Sequence, residues 1–208
     1  MTLSPRFEQA LVYASVVHAG QRRKGKDVPY IGHLMSVAAL VLEHSAGDEW
    51  ANSDVSREDL AIAALLHDAV EDAGGLRRLE DIRVRFGEAV ADIVRQCSDS
   101  EGEPKPPWRE RKEAYLAHLR DRATPAARLV SLADKLDNIR DIVMDYRRLG
   151  DGLFDRFNAG KADQLWYQRA LADAFLEKLP CPLAEEFHRV VGEFERLAKG
   201  GGTVRPVR

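Results

Sequence analysis

Ala61-Ile62-Ala63-Ala64-Leu65-Leu66-His67-Asp68-Ala69-Val70-Glu71-Asp72 decides the fold: an apolar helical run that ends in four polar residues of the kind that hold a metal and move protons. A run of this type is normally a buried helix. Residues four apart share a helix face, so the pattern stacks Glu71 over His67 and Asp72 over Asp68. His67 and Asp68 then stand at the inner end of a core helix, where an unpaired charge is costly. A cation is the simplest compensation. A histidine-aspartate pair by itself reads more readily as a satisfied core histidine beside a solvated helix end. The rest of the chain must therefore supply further ligands.

Toward the N-terminus, Ser56 caps this helix, with Asp59 in the third helical position, close to a capping box. Residues 45–56 are polar and form a loop. Before them Leu34, Val37, Ala38, Leu40, Val41 and Leu42 make a second apolar helix, and His33 stands at its start. The segment from Gln21 to Tyr30 is broken by glycine and proline and is a loop. It carries four positive charges within five residues, Arg22, Arg23, Lys24 and Lys26. Most such runs are solvated; a clamp for a phosphorylated ligand is the functional reading. Ser4 caps a first helix, Pro5 is its first residue, and Gly20 ends it.

Toward the C-terminus, Gly74-Gly75 ends the central helix. Leu79 to Phe86 is a short helix stopped by Gly87, and Glu88 to Cys97 is another. Residues 98–107 are a loop, followed by a charged helix from Trp108 to Arg122. Thr124-Pro125 starts the longest helix, whose apolar pattern Asp134 interrupts. That carboxylate either pairs with a nearby Arg or Lys or serves chemistry. Residues 150–160 form a loop, Lys161 to Lys178 a helix, and Ala184 to Ala198 a last amphipathic helix after Pro180 and Pro182. No strand pattern and no internal repeat occur. The expected fold is all-α, a bundle of roughly eight to ten helices of ordinary length. It forms one domain over residues 1–199, with its C-terminal helix at about 183–198 and a mobile tail over 200–208.

With 31 basic against 34 acidic residues the net charge is −3. Bulk nucleic-acid binding would want a clear positive excess, so no nucleic-acid partner is expected. The longest apolar stretches fall far short of the roughly 20 residues that a membrane span needs, so no membrane partner is expected either. The run Ala10 to Val17 faintly mimics a signal peptide, but it lacks a basic start and reads as a core helix. Cys97 and Cys181 form neither a C-x-x-C pair nor a disulfide framework, which suits a reduced, cytoplasmic protein. Nothing in the pattern fixes an oligomeric state.

His33, His67, Asp68 and Asp134 thus make a set of two imidazoles and two carboxylates. Mixed ligation of this kind suits manganese, iron or zinc. Zinc more often takes three protein ligands in a catalytic site, whereas manganese readily offers more than four positions. Glu71 and Asp72 are placed to handle a proton or position a water.

These residues match the H…HD…D signature of the HD phosphohydrolase superfamily. Gly20-Gln21-Arg22-Arg23-Lys24, Pro29-Tyr30-Ile31-Gly32-His33, Ala64 to Asp72, Phe86-Gly87 and Leu132-Ala133-Asp134-Lys135-Leu136-Asp137-Asn138 resemble, in order and spacing, the hydrolase domain of the RelA/SpoT family. The resemblance covers about residues 6–178. It implies a stand-alone small alarmone hydrolase, without a synthetase domain, that removes pyrophosphate from the ribose 3′ position of (p)ppGpp using Mn2+. It also implies His33, His67, Asp68 and Asp134 as ligands and Glu71 and Asp72 as the catalytic acid pair. Arg23 and Lys24 match nucleotide-contacting basic residues, and Asn138 a residue at the sugar or base. Lys105, Arg109, Lys112 and Tyr167 are further candidates for the pocket.

The chain departs from the family pattern at Leu34, where proline is usual, and at Asp137, where histidine is usual. Neither position is a ligand, so metal binding should survive, while Asp137 puts base or phosphate preference in doubt. Two other readings stay open. The same site could act on (p)ppApp or as an NADPH 2′-phosphatase, since arginine stacking tolerates either purine. A sensor that binds an alarmone without turnover is the alternative from another class, and the Glu71-Asp72 pair argues against it.

Overall fold

The computed structural model describes residues 2–47, 50, 54–72, 74–98 and 106–200, with the side chain of Asp72 outside the description. Ten α-helices lie among the described residues: α1 Pro5–Val17, α2 Ile31–His44, α3 Arg57–Leu66, α4 Ala69–Asp72, α5 Gly75–Phe86, α6 Glu88–Cys97, α7 Trp108–Asp121, α8 Pro125–Leu149, α9 Lys161–Lys178 and α10 Pro182–Lys199. A 3-10 helix, Gly150–Arg156, follows α8. No strand occurs among the described residues, and one isolated bridge joins Arg22 to Pro29. The fold is all-α.

The chain groups into two compact units. The first comprises Met1–Lys105 and Ala123–Asp134, and the second Pro106–Arg122 and Lys135–Arg208. The first unit is built around α3. Every residue from Leu60 to Leu66 is buried, as expected of a helix apolar on all sides. Helices α1, α2 and α6 pack on it. Complete burial of a leucine such as Leu65 or Leu66 is worth about 1.5–3 kcal/mol, and α3 supplies several such residues. Its start is fixed as the sequence predicts, by the Ser56 hydroxyl accepting from the Asp59 N–H at 3.0 Å. The Arg6 guanidinium then ties three elements together. It donates to the Asp59 carboxylate at 2.5 Å and to the Phe86 carbonyl, joining α1 to the start of α3 and the end of α5.

Several boundaries differ from the sequence reading. The central helix does not run unbroken to Asp72: α3 closes at Leu66, His67 and Asp68 form a turn, and α4 is a single turn beyond it. The His67 ring explains the break locally. Its Nδ1 binds the Ala64 carbonyl at 2.8 Å, the group that the Asp68 N–H would use to continue the ladder. Helix α5 begins at Gly75 rather than Leu79, because Gly74 adopts φ 114° and turns the chain directly into it. Gly87, at φ 91°, both ends α5 and opens α6. The first helix stops at Val17, short of Gly20. Pro182 begins α10 rather than merely breaking α9, since proline fits the first helical turn.

In the second unit α9 packs against α7 and α10. Tyr146, Phe154 and Phe194 form an aromatic triangle with centroids 5.8–6.3 Å apart, and Phe175 meets Phe187 at 5.7 Å. Asp145, buried on α8, receives the Arg156 guanidinium at 2.7 Å. No described helix is long and apolar enough to cross a membrane.

Candidate metal centre

All four residues expected as ligands lie in the first unit. The start of α2 delivers His33, the end of α3 delivers His67 and Asp68, and Asp134 comes from α8. His33, His67 and Asp134 are each less than 5% exposed. One donor atom from each lies within 4.8 Å of the others, so the three converge on a common point as the ligands of one ion do. The His33 Nε2 is 3.2 Å from Asp134 Oδ1 and 3.8 Å from Asp68 Oδ2. The His67 Nε2 is 3.1 Å from Asp68 Oδ2 and 3.6 Å from Asp134 Oδ1. The two imidazole rings meet edge to face at 5.3 Å.

The His67 Nδ1–H donates to the Ala64 carbonyl, and this sets the ring so that Nε2 is the nitrogen facing the carboxylates. That Nε2 is buried and makes no hydrogen bond of normal geometry. Burial disfavours the imidazolium, yet the Asp68 and Asp134 carboxylates outweigh it and hold the His67 pKa well above its ordinary value. For Asp68 burial favours the neutral acid, but the neighbouring His67 prevails and keeps the carboxyl well below the usual range. Two imidazoles converging on two carboxylates fit a divalent cation of the borderline class.

Tyr30 belongs to this centre and was not singled out from the sequence. Its hydroxyl donates to Asp68 Oδ2, and its ring lies 5.2 Å from His33 and 5.4 Å from His18. His18 is itself buried, with Nδ1 2.6 Å from the Gln21 Oε1. The signal available was position: Tyr30 ends the basic loop and directly precedes the helix that carries His33. An outer partner of this kind orients a ligating carboxylate.

The other predicted residues are placed less closely. Glu71 sits half-buried on α4. Because the helix breaks at His67-Asp68, the simple stacking of Glu71 over His67 no longer follows from helical spacing. The side chain of Asp72 and the whole of Lys105 lie outside the described residues, as does the tail from 201. Arg23 and Lys24 lie on the loop that the Arg22 to Pro29 bridge closes, with the Arg23 N–H on the Val28 carbonyl at 2.9 Å.

Asn138, Arg109, Lys112 and Tyr167 fall in the second unit. Within it the Arg109 guanidinium lies 3.3 Å over the Trp166 ring and pairs with Glu113 at 2.7 Å and Asp163 at 3.2 Å. The Lys112 ammonium stands 5.1 Å over the Tyr167 ring.

A family model described as an HD domain matches residues 10–163. The chain is 34% identical to guanosine-3′,5′-bis(diphosphate) 3′-pyrophosphohydrolase MESH1 of Drosophila melanogaster, over 67% of this chain and 70% of that one. It is 36% identical to the Homo sapiens protein of the same name, over 64% and 68% respectively. Among solved structures, a metazoan ortholog of SpoT that hydrolyses ppGpp superposes with a TM-score of 0.71. That match has 25% identity and covers 93% of this chain and 98% of that one. A Listeria monocytogenes structure superposes with a TM-score of 0.63 at 26% identity, over 79% and 99%.

Proposed function

The chain belongs to the HD domain family, and on that footing we propose that it hydrolyses the 3′-pyrophosphate of guanosine-3′,5′-bis(diphosphate). One water adds to phosphorus, the bond between that phosphorus and the ribose 3′-oxygen breaks, the 3′-oxygen regains a proton and pyrophosphate leaves. The observation that carries this reading is the buried cluster of His33, His67 and Asp134, with Asp68 against both imidazoles.

His33, His67, Asp68 and Asp134 would hold the cation; the mixed nitrogen and oxygen donor set admits manganese, iron or zinc, and we assign manganese from the resemblance to the RelA/SpoT hydrolase domain. When bound, such an ion supplies Lewis acidity to a phosphoryl group and makes water more acidic. The remaining work falls to the chain. Tyr30 fixes the Asp68 carboxylate through its hydroxyl. Glu71 and Asp72 are assigned to take the proton from the attacking water at a carboxylate oxygen and to return one to the leaving 3′-oxygen. Arg23 and Lys24 are assigned to the substrate's phosphates, where arginine's planar fork and lysine's point charge both serve. The two cysteines are free thiols, which supports the cytoplasmic placement.

The test is the product released from ppGpp, ppApp and NADPH, with manganese and after chelation. The proposal expects pyrophosphate from ppGpp, dependent on metal and lost in Asp68→Ala. Pyrophosphate from ppApp alone would change the base, and orthophosphate from NADPH would replace the substrate. No release from any of them by metal-loaded protein would contradict an enzymatic role.

A further inference from the structure

Helices α9 and α10 carry a cavity of about 320 Å3, lined by Arg169, His188, Arg189, Gly192, Glu195, Arg196 and Lys199. Four of these side chains are permanent cations, and one carboxylate faces them. Arg169 is already engaged: its guanidinium binds Glu195 at 3.0 and 2.7 Å and reaches the His188 Nε2 at 2.8 Å. Arg189 pairs with Glu186 at 2.7 Å and approaches Glu193 at 3.7 Å. Among the described residues no carboxylate lies within ion-pair distance of Arg196 or Lys199.

Basic residues in the last turn of a helix ordinarily complement its dipole, and Arg196 and Lys199 sit there. That reading leaves one feature unexplained. Arg169 comes from the other helix, yet its Nη2 and the Arg196 Nη1 converge over Gly192. A Cβ built on that glycine would lie 3.9 Å from the first and 3.5 Å from the second. Two guanidinium groups thus approach one point at which the chain places no side chain of its own. Glu195 already answers the Arg169 Nη2 at 2.7 Å, so the charge open to an anion at this point is that of Arg196 and Lys199. Arginine forks match the oxygens of a phosphate, and the cavity volume is at the lower end for a small-ligand site.

We propose that this cavity is a binding site for a diphosphate group, contacted by Arg196 and Lys199 beside the Glu195-bound guanidinium of Arg169, with Gly192 as its floor. The site rests on this geometry and is independent of the substrate assigned above. It reads a diphosphate either as the free anion or as the end of a nucleoside diphosphate.

The test is calorimetric titration of the full chain with inorganic pyrophosphate and, separately, with GDP. Asp134→Ala is used as the background, so that the metal cluster does not contribute. That background should still bind pyrophosphate. Adding Arg196→Ala and Lys199→Ala together should weaken the affinity about tenfold or more, the scale of losing charge-assisted contacts. Gly192→Leu, which fills the floor and leaves every charge in place, should weaken it as well. With Asp134 intact, the Arg196→Ala, Lys199→Ala chain should keep its basal hydrolysis rate. Parallel loss for GDP names the nucleotide end as the group read, and loss for pyrophosphate alone names the free anion. Pyrophosphate affinity unchanged by both the double variant and Gly192→Leu would overturn the proposal, as would the absence of any pyrophosphate binding in the Asp134→Ala background.

Discussion

Asp134 and Asp145 lie eleven residues apart on α8, both as carboxylates buried in a mainly apolar helix at 4% and 5% exposure. Their surroundings differ in kind. Asp145 receives the guanidinium of Arg156 at 2.7 Å, a permanent cation that answers its charge in the folded chain. Asp134 instead faces the imidazoles of His33 and His67 at 3.2 and 3.6 Å, with a second carboxylate, Asp68, against the same two rings. A buried aspartate with an arginine is a structural pair. A buried aspartate that shares two imidazoles with another carboxylate has the arrangement of a ligand set, because imidazole is a neutral donor whenever a metal takes the place of its proton.

If that distinction is right, removing either carboxylate should give opposite signatures. Asp134→Ala should lower hydrolysis by more than about a hundredfold, beyond the range expected for an outer partner of a metal ligand. It should abolish retention of the metal and melt close to the metal-free parent, as read by turnover, metal content and melting. Asp145→Ala should do the reverse. It strands the Arg156 guanidinium and should cost about 3 kcal/mol, lowering Tm by several degrees while kcat stays near that of the parent. A variant at Asp134 that melts early with its metal retained would erase the contrast.

A smaller effect sharpens the ligand side. Tyr30→Phe removes the hydroxyl that donates to Asp68 and keeps the ring against His33. Metal affinity should fall about tenfold, measured by competition with a chelator, with little change in melting. Unchanged affinity would mean that Tyr30 only packs.

The gentlest perturbation is pH. Burial opposes the imidazolium of His67, but Asp68 and Asp134 raise its pKa well above the ordinary value, whereas a ligating imidazole must be neutral. Metal uptake should therefore release a proton, and apparent affinity should fall as pH falls, by up to about tenfold per unit. Titration in buffers of different ionisation enthalpy reads the proton directly. The same raised pKa means that the His67 pairing stabilises the metal-free fold below the ordinary imidazole pKa and loses that contribution as pH rises through the raised value. Uptake without proton release would place the metal elsewhere.

Much of this contrast was legible in the sequence. The apolar run Ala61 to Leu66 makes α3 a core helix on composition alone, and the Ser56 and Thr124-Pro125 signals fix the starts of α3 and α8. His67, Asp68 and Asp134 stood out because polar residues broke apolar patterns. Asp145 did not, since its partner Arg156 belongs to the 3-10 helix beyond α8, in a segment read as a loop. The turn at His67-Asp68 was also hidden, because a side-chain bond to the Ala64 carbonyl has no signature in residue spacing. Tyr30 escaped for a similar reason: its role depends on a hydroxyl reaching a carboxylate 38 positions away. The α9 and α10 cavity depends on two guanidinium groups meeting over a glycine, which no one-dimensional pattern reports.

The most direct test of the metal-centre reading is a paired measurement on one preparation of the full chain: divalent metal content and pyrophosphate release from ppGpp, before chelation, after chelation and after manganese is restored. The account predicts about one cation per chain, with activity removed by chelation and recovered with the metal. Undiminished pyrophosphate release from protein stripped of metal would contradict it.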